Sequence, residues 1–111
     1  MAIFEKMAKA TAERDAEIMV ACLHDDFEFV RHQTGTTMDK AQTSEMFRGF
    51  MASDAVVVQS QRCIYENDEV LIEHTVMDFA DGSREAVLAC HTLKDGLILR
   101  TETGATPIKP A

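Results

Sequence analysis

The fold is decided by VLACHTLKDGLIL, residues 87–99, in which two apolar segments flank the pair Asp95-Gly96. An Asp-Gly pair in this setting favours a β-hairpin, because glycine readily adopts the positive φ that a tight turn requires. A second pair, Asp81-Gly82, precedes the stretch and predicts another hairpin. Further short apolar runs lie upstream at residues 56–58, 63–65 and 70–72. The second half of the chain is therefore predicted to be a meander of strands that pair with their neighbours.

Helical periodicity dominates the first half of the chain. Apolar residues recur at helical spacing over residues 3–23, and Asp15 is placed to N-cap a second helix after a break. Residues 27–33 alternate as a short strand, and a capping-box pattern that starts at Asp39 introduces a third helix. Helices first and hairpins last predict an α+β fold, with three helices packed on a curved, mostly antiparallel sheet.

Length and charge narrow the classes of function. The 111 residues suit one domain, 1–111, whose Pro-punctuated tail, 105–111, is expected to fray. A net charge of −8 disfavours nucleic acid as a partner. No apolar run approaches the roughly 18 residues that span a bilayer, so we expect no membrane partner. The N-terminus lacks the pattern of a signal peptide, which leads us to expect a cytoplasmic location.

The cysteines and histidines form no recognisable metal or cofactor motif. Cys22, Cys63 and Cys90 are widely separated, so we expect free thiols rather than a disulfide framework or a zinc site. The histidines lie on separate predicted segments without the spacing of metal ligands. A phosphate-binding loop and a dinucleotide fingerprint are also absent from the sequence. We therefore expect neither a metal nor a cofactor.

Two stretches resemble the NTF2-like superfamily, which includes the SnoaL-like domains and ketosteroid isomerase. DAEIMVACLHDDFEF (residues 15–29) is similar to the family's helix-to-strand segment, and LKDGLI (residues 93–98) to its last hairpin. The order of the predicted elements also matches, over roughly residues 3–104. The resemblance implies a cystatin-like cone that encloses a cavity, and a homodimer formed through the sheet. It implies little about chemistry, because one fold hosts many functions.

The resemblance to ketosteroid isomerase fails at the catalytic positions. The oxyanion-hole tyrosine of that enzyme corresponds to Met7, and its general-base aspartate corresponds to Arg31. Its second oxyanion donor, a protonated aspartate, corresponds to Leu88 or Cys90. Proton transfer between carbons needs a base and donors for the enolate. Ketosteroid isomerase activity itself is therefore disfavoured.

The predicted cavity combines a polar cluster with an apolar wall. Alternation along residues 27–33 directs Arg31 inward. Matching the turn at 81–82 to the family's equivalent hairpin directs His74 and Asp78 inward as well. The residues expected to line the ligand pocket around this cluster are Met7, Phe27, Phe29, Val76, Leu88 and Cys90. A single β-bulge would reverse such strand assignments.

The polar cluster is a candidate catalytic site. His74 would act as general acid or base, Asp78 would orient it, and Arg31 would hold a carboxylate or a developing enolate. The structural alternative is an ion pair between Arg31 and Asp78 at the cavity rim, with His74 hydrogen-bonded on a partly buried sheet. By the same alternation, His32 and His91 face outward, toward solvent or a dimer partner.

Three functions fit these features. The first is a SnoaL-like enzyme, a lyase or isomerase of dehydratase, isomerase or cyclase type, that transfers a proton on a small apolar molecule bearing a carbonyl or carboxylate group. The second is a non-catalytic module that binds an apolar ligand, and the third is a homodimeric association module. Two ionisable side chains that converge in the cavity would favour the enzyme. A filled cavity and an apolar outer face would favour association.

Overall fold

The computed structural model describes residues 2–109, which form three helices that cover one face of a six-stranded sheet. In chain order the elements are α1 (Ile3–Glu13), α2 (Ala16–Val20), β1 (Leu23–Arg31), β2 (Thr36–Asp39), α3 (Lys40–Ala52), β3 (Val57–Glu66), β4 (Val70–Asp78), β5 (Arg84–Lys94) and β6 (Leu97–Pro107). None of the helices described for these residues has the length and apolarity to cross a membrane. The predicted α+β class, with three helices on the sheet, is confirmed.

Capping residues set the helix boundaries. α1 ends at Arg14, whose φ of 50° is left-handed and prevents the helix from continuing. Asp15 then caps α2, because its carboxylate accepts the N–H of Glu17 at 3.0 Å. At α3 the Asp39 carboxylate accepts the N–H of Gln42 at 2.8 Å, and the Gln42 side chain accepts the N–H of Asp39 at 3.0 Å. Both predicted caps are confirmed.

The strands follow the order β2-β1-β6-β5-β4-β3 across the sheet. Consecutive strands from β3 to β6 pair antiparallel, as the meander prediction requires, and β6 then pairs parallel with β1. Asp95 and Gly96 have φ values of 55° and 75°, so the pair forms the tight turn between β5 and β6. The β4–β5 connection is longer, since residues 79–83 separate the paired residues Asp78 and Arg84.

The core lies between the helices and the concave face of the sheet. Its buried members are Ile3, Met7, Cys22, Leu23, Phe27, Phe29, Leu71, Leu93 and Ile98. Leu71 of β4 has no exposed surface. Because side chains alternate along a strand, the odd-numbered residues of β4 face the helices with Leu71, and the even-numbered ones face away.

Two segments differ from the sequence predictions. β6 continues to Pro107, and the N–H of Ile108 donates to the carbonyl of Arg84 at 2.9 Å. The tail 105–111 is expected from the sequence to fray, but residues 105–107 belong to β6, while 110–111 lie outside the described residues. The short strand β2 was not predicted, because its four residues carry no apolar alternation.

Candidate ligand pocket and acid–base site

A cavity of about 720 Å³ lies between the helices and the concave face of the sheet. Met7 of α1, Met46 of α3 and Phe29 of β1 contribute to its apolar wall. Phe50 of α3 and Phe79 of the β4–β5 connection meet edge to face at the cavity, with ring centroids 5.9 Å apart. The volume is in the range of pockets that hold small organic ligands. Flexible methionine side chains in the wall allow it to adapt to the shape of an apolar molecule.

A buried acid–base pair forms part of the cavity wall. His91 Nε2 lies 2.6 Å from Glu73 Oε2, and His91 Nδ1 lies 2.6 Å from Thr101 Oγ1. The side chains of His91 and Glu73 are only 5% and 4% exposed. Glu73, His91 and Thr101 all line the cavity. Charged groups are rarely buried to this extent without a partner, so each side chain of the pair depends on the other.

Strand register brings these three side chains together. His91 pairs with Thr101 of β6 on one side and with Leu71 of β4 on the other. Glu73 follows Leu71 by two residues, so it occupies the same face and lies diagonal to His91, within reach of a long side chain. Burial of Leu71 in the core therefore carries Glu73 inward.

The hydrogen-bond roles follow from the chemistry of the groups. An ionised carboxylate only accepts, so His91 Nε2–H is the donor to Glu73. In the neutral imidazole Nδ1 then accepts from the Thr101 hydroxyl. Glu73 Oε1 has only longer contacts, at 3.4 Å from both Gln61 Nε2 and Thr75 Oγ1. Because both ring nitrogens of His91 are occupied, Glu73 Oε1 is the atom of the pair that is most available to a ligand.

Arg31 lies on the cavity wall at the end of β1. Its guanidinium carbon is 5.6 Å from the centre of the Phe29 ring, and Nη2 donates to the Met46 sulfur at 3.2 Å. A thioether is a weak acceptor, and an aromatic face offers a cation–π contact rather than a hydrogen bond. The guanidinium therefore retains donors that a ligand could use.

Arg14 also lines the cavity, but its guanidinium has a structural role. It donates to the carbonyls of Phe50, Met51, Ser53 and Val56, at distances of 2.6–3.2 Å. These carbonyls belong to the end of α3 and the segment that follows, where a cation is favoured by the helix dipole. Arg14 thus holds α3 to the α1–α2 corner and is not free for a ligand.

The residues predicted from the sequence are divided between the two faces of the sheet. Those that line the cavity are Arg31, Met7, Phe27 and Phe29. Those that do not are His74, Asp78, Val76, Leu88 and Cys90. The expectation that the second group faces the cavity is wrong. In β4 and β5 the odd-numbered side chains, such as Leu71 and Ala89, point toward the cavity, and the even-numbered ones point outward.

His74 and Asp78 therefore do not form the cluster expected with Arg31. His74 pairs with Leu88 across the outer face of β4 and β5. Asp78 pairs with Arg84 across the neck of the hairpin, and Gln59 donates to the same carboxylate at 2.6 Å. These hydrogen bonds, from Arg84 first and then Gln59, hold the pKa of Asp78 below its usual value. The alternative ion pair between Arg31 and Asp78 is not formed either.

Alternation directed His91 outward, and the inward assignment of His74 directs its neighbour Glu73 outward as well; both assignments are wrong, because both side chains line the cavity. A signal for the correct face was present in the pattern Ala89-His91-Leu93, which continues into the core at Leu93. The pattern Leu71-Glu73 gives the same indication on β4. The match assumed a short Asp-Gly turn, but the connection has five residues, 79–83. The assigned register was therefore off by one residue, and such a shift exchanges the two faces of a whole strand.

A metal centre is not formed among residues 2–109, because no three His, Cys, Asp or Glu side chains there converge in a way that could hold an ion. The Glu73–His91 pair alone offers too few ligands for a typical zinc site.

Solved structures of low sequence identity share this fold. An NTF2-like protein of unknown function from Burkholderia xenovorans superposes with a TM-score of 0.74 at 15% identity, covering 98% of this chain and 86% of the other. One from Mesorhizobium loti gives 0.80 at 9%, covering 94% and 88%. A Kribbella flavida protein, provisionally named a ketosteroid isomerase, gives 0.73 at 15%, covering 98% and 78%. No curated protein sequence matches the chain.

The SnoaL-like domain family matches residues 4–101, which span α1 to the middle of β6. This range includes the Glu73–His91 pair and every cavity-lining residue except Thr103 and Ala105. The cone of helices on a curved sheet agrees with that match, as do the structural neighbours. The chain belongs to the SnoaL-like domain family of the NTF2-like superfamily.

Proposed function

We propose that the cavity binds a small, largely apolar compound with a carbonyl group and that Glu73 transfers a proton on it, in a reaction of isomerase, dehydratase or cyclase type. The observation that carries this proposal is the buried Glu73–His91 pair, which lines the cavity with a 2.6 Å hydrogen bond. Stability alone does not require such a pair, since apolar residues of similar volume often stabilise a protein interior at least as well.

The chemical step uses Glu73 Oε1. In the proposed reaction this oxygen takes a proton from the carbon next to the carbonyl, and the C–H electron pair moves to form the enolate. Returning the proton to the far carbon of a conjugated enolate moves the double bond and isomerises the substrate. In a substrate with a β-hydroxyl group, the enolate electrons instead form a C=C bond as hydroxide leaves, and the proton held by Glu73 joins that hydroxide as water. A positioned general base of this kind contributes about 10²–10⁴-fold to rate.

His91 acts as a positioning residue in this scheme. Its Nε2–H fixes Glu73 Oε2, and the Thr101 hydroxyl fixes the other ring nitrogen, so the free oxygen Oε1 has a defined direction. Such indirect support resembles the way in which a carboxylate or hydroxyl orients a catalytic group in other acid–base sites. Ketosteroid isomerase activity itself remains disfavoured, because Met7 and Arg31 stand where that enzyme has its tyrosine and its general base.

Exchange of substrate C–H for deuterium tests the proposal directly. Wild-type protein in D₂O is incubated with a panel of small ketones and oxo-carboxylates, and exchange is followed by NMR. Glu73→Gln is expected to lower the exchange rate by about 10²-fold or more. The matched control Glu28→Gln changes an exposed carboxylate that pairs with Arg100 and is expected to leave the rate unchanged. Compounds that bind without any exchange would contradict the enzyme and favour a non-catalytic binding module.

A homodimeric association module is the second candidate, favoured by the outer face of the sheet. Leu88 and Tyr65 are 49% and 55% exposed there, next to the partly buried Ile72 and Val76. Apolar side chains grouped on one face are typical of a protein interface. We propose that two copies pair through this face. Given the net charge of −8, we propose that neither nucleic acid nor a membrane is a partner. The exposed thiols Cys63 and Cys90 suit the reducing cytoplasm.

Sedimentation velocity tests the dimer. Leu88→Glu is expected to convert a dimer into a monomer, whereas Glu28→Gln on β1 should leave the state unchanged. A wild-type protein that is still monomeric at about 100 times the protein concentration of the exchange assay would contradict this second proposal.

A further inference from the structure

Arg31 differs from the other arginines in what surrounds it. Its guanidinium contacts the Phe29 ring and the Met46 sulfur inside the cavity. Arg48, Arg84 and Arg100 each pair with carboxylates on the surface. The guanidinium of Arg14 donates to carbonyls at and just after the end of α3. Arg62 is exposed and pairs with His74 on the outer face of the sheet.

Among residues 2–109, no carboxylate forms an ion pair with Arg31. A partly buried cation without an anion is costly, because the low-polarity wall replaces water poorly. The fork of guanidinium donors matches a carboxylate in two parallel hydrogen bonds. The surroundings of Arg31 therefore suit an anionic group supplied by a ligand.

Arg31 and Glu73 lie in one row across the concave face. Arg31 pairs with Thr103, Thr103 with Ala89, and Ala89 with Glu73, on the strands β1, β6, β5 and β4. Three strand spacings separate their Cα atoms, which amounts to about 14 Å. The two residues between them have small side chains, so the wall is open along the line that joins the cation to the carboxylate.

We propose that Arg31 binds the carboxylate of the substrate, so that the substrate is a small oxo-carboxylate with its anionic end at Arg31 and its reactive C–H at Glu73. This inference rests on the proposed function for the assignment of the reacting end. The opposite charges at the two ends also set a preference. A molecule with a single carboxylate fits, whereas a second carboxylate would meet Glu73 and be repelled.

Calorimetric titration with matched ligands tests the anchor. The probes are levulinate and its longer homologue oxo-octanoate, the neutral amides of both, and the dianion oxoglutarate. In the wild-type protein the carboxylates are expected to bind about tenfold or more tightly than their amides, as charge-assisted hydrogen bonds require. Oxoglutarate is expected to bind more weakly than the monocarboxylates.

Variants locate the preference. Arg31→Gln is expected to remove the difference between acid and amide, and Arg31→Lys, which keeps the charge without the fork, is expected to retain part of it. The matched control Arg62→Gln should keep the full difference. Equal binding of acid and amide by the wild type, binding of neither, or a preference that survives Arg31→Gln in a folded protein would overturn the proposal. If Arg31→Gln does not fold, the reduced preference of Arg31→Lys decides the question.

The two proposals fail in different ways. Glu73→Gln is expected to abolish deuterium exchange while the carboxylate preference remains. Arg31→Gln is expected to weaken the binding of oxo-carboxylates to about the level of their neutral amides. A carboxylate preference without any exchange would therefore contradict the acid–base step alone, and exchange without a carboxylate preference would contradict the anchor alone.

Discussion

Polar side chains of the same types are buried on the concave face of the sheet and solvated on its convex face. Glu73 and His74 are neighbours on β4, yet Glu73 is buried against His91 in the cavity wall and His74 lies on the outer face beside Leu88. A buried polar side chain needs partners to offset the loss of water, whereas a solvated one does not. The concave face therefore carries a connected set of hydrogen bonds, and the convex face carries separate contacts.

This difference gives each face its own sensitivity to mutation. On the concave face, removing one partner leaves another buried and unsatisfied. On the convex face water replaces a lost partner, so most substitutions have small effects. Comparing matched residues on the two faces therefore tests the assigned register and the energetic role of the buried pair together.

The largest effect is expected from the two histidines. His91→Ala removes the closest hydrogen bond of the buried Glu73 carboxylate and should lower the free energy of unfolding by about 3 kcal/mol or more, since a buried charged acceptor is left without its donor. His74→Ala on the outer face should change it by no more than about 0.5 kcal/mol. Urea denaturation of both variants measures the difference. Equal losses would contradict the assignment of His91 to the interior.

A smaller effect is expected at Thr101. Thr101→Val keeps the shape of the side chain but removes the hydroxyl 2.6 Å from His91 Nδ1, which leaves a buried ring nitrogen unsatisfied. The expected loss is about 1–3 kcal/mol. Thr106→Val, an exposed position on the same strand, provides the control, with an expected change within about 0.5 kcal/mol. Thermal unfolding of the two variants measures the difference. If Thr106→Val proved less stable than Thr101→Val, the assigned register of β6 would be wrong.

Much of the fold was predictable because its signals are local. The caps at Asp15 and Asp39 and the hairpin at Asp95-Gly96 each depend on a few adjacent residues. Local chemistry also identified Arg31, because the apolar alternation of β1 is unambiguous. These features required no knowledge of how distant segments pair.

The acid–base pair was not predictable in the same way. Both faces of β4 mix apolar and polar residues, since Ile72 and Val76 face outward while Glu73 and Thr75 face inward. Only pairing with His91 on the next strand makes a buried Glu73 acceptable. That information lies in the contact between two strands, so alternation within one strand could not reveal it.

The ion pair at the hairpin neck gives a prediction about pH on the outer face. Hydrogen bonds from Arg84, and then from Gln59, hold the pKa of Asp78 below its usual value. A carboxyl group whose folded pKa is lowered contributes stability above its unfolded pKa and loses it as pH falls through the folded pKa. Arg84→Gln should raise the pKa of Asp78 toward its usual value, as NMR titration of the carboxyl carbon would measure. The change in stability should be small and should weaken with added salt, because the pair is exposed.

Chemical labelling of the three cysteines is the mildest test, because it distinguishes buried from exposed positions without any mutation. Cys22 is 1% exposed, and burial raises the pKa of its thiol, so it should react slowly in the native protein. Cys63 and Cys90 are exposed, and titration with a thiol reagent should therefore modify two thiols quickly and the third only after denaturation. Cys90 is two residues from Leu88 on the outer face, so a dimer through that face should also slow its labelling as protein concentration rises, while Cys22 stays unreactive at every concentration. Rapid modification of Cys22 in the folded protein would contradict its place in the core, and labelling of Cys90 that does not depend on concentration would count against the outer-face dimer.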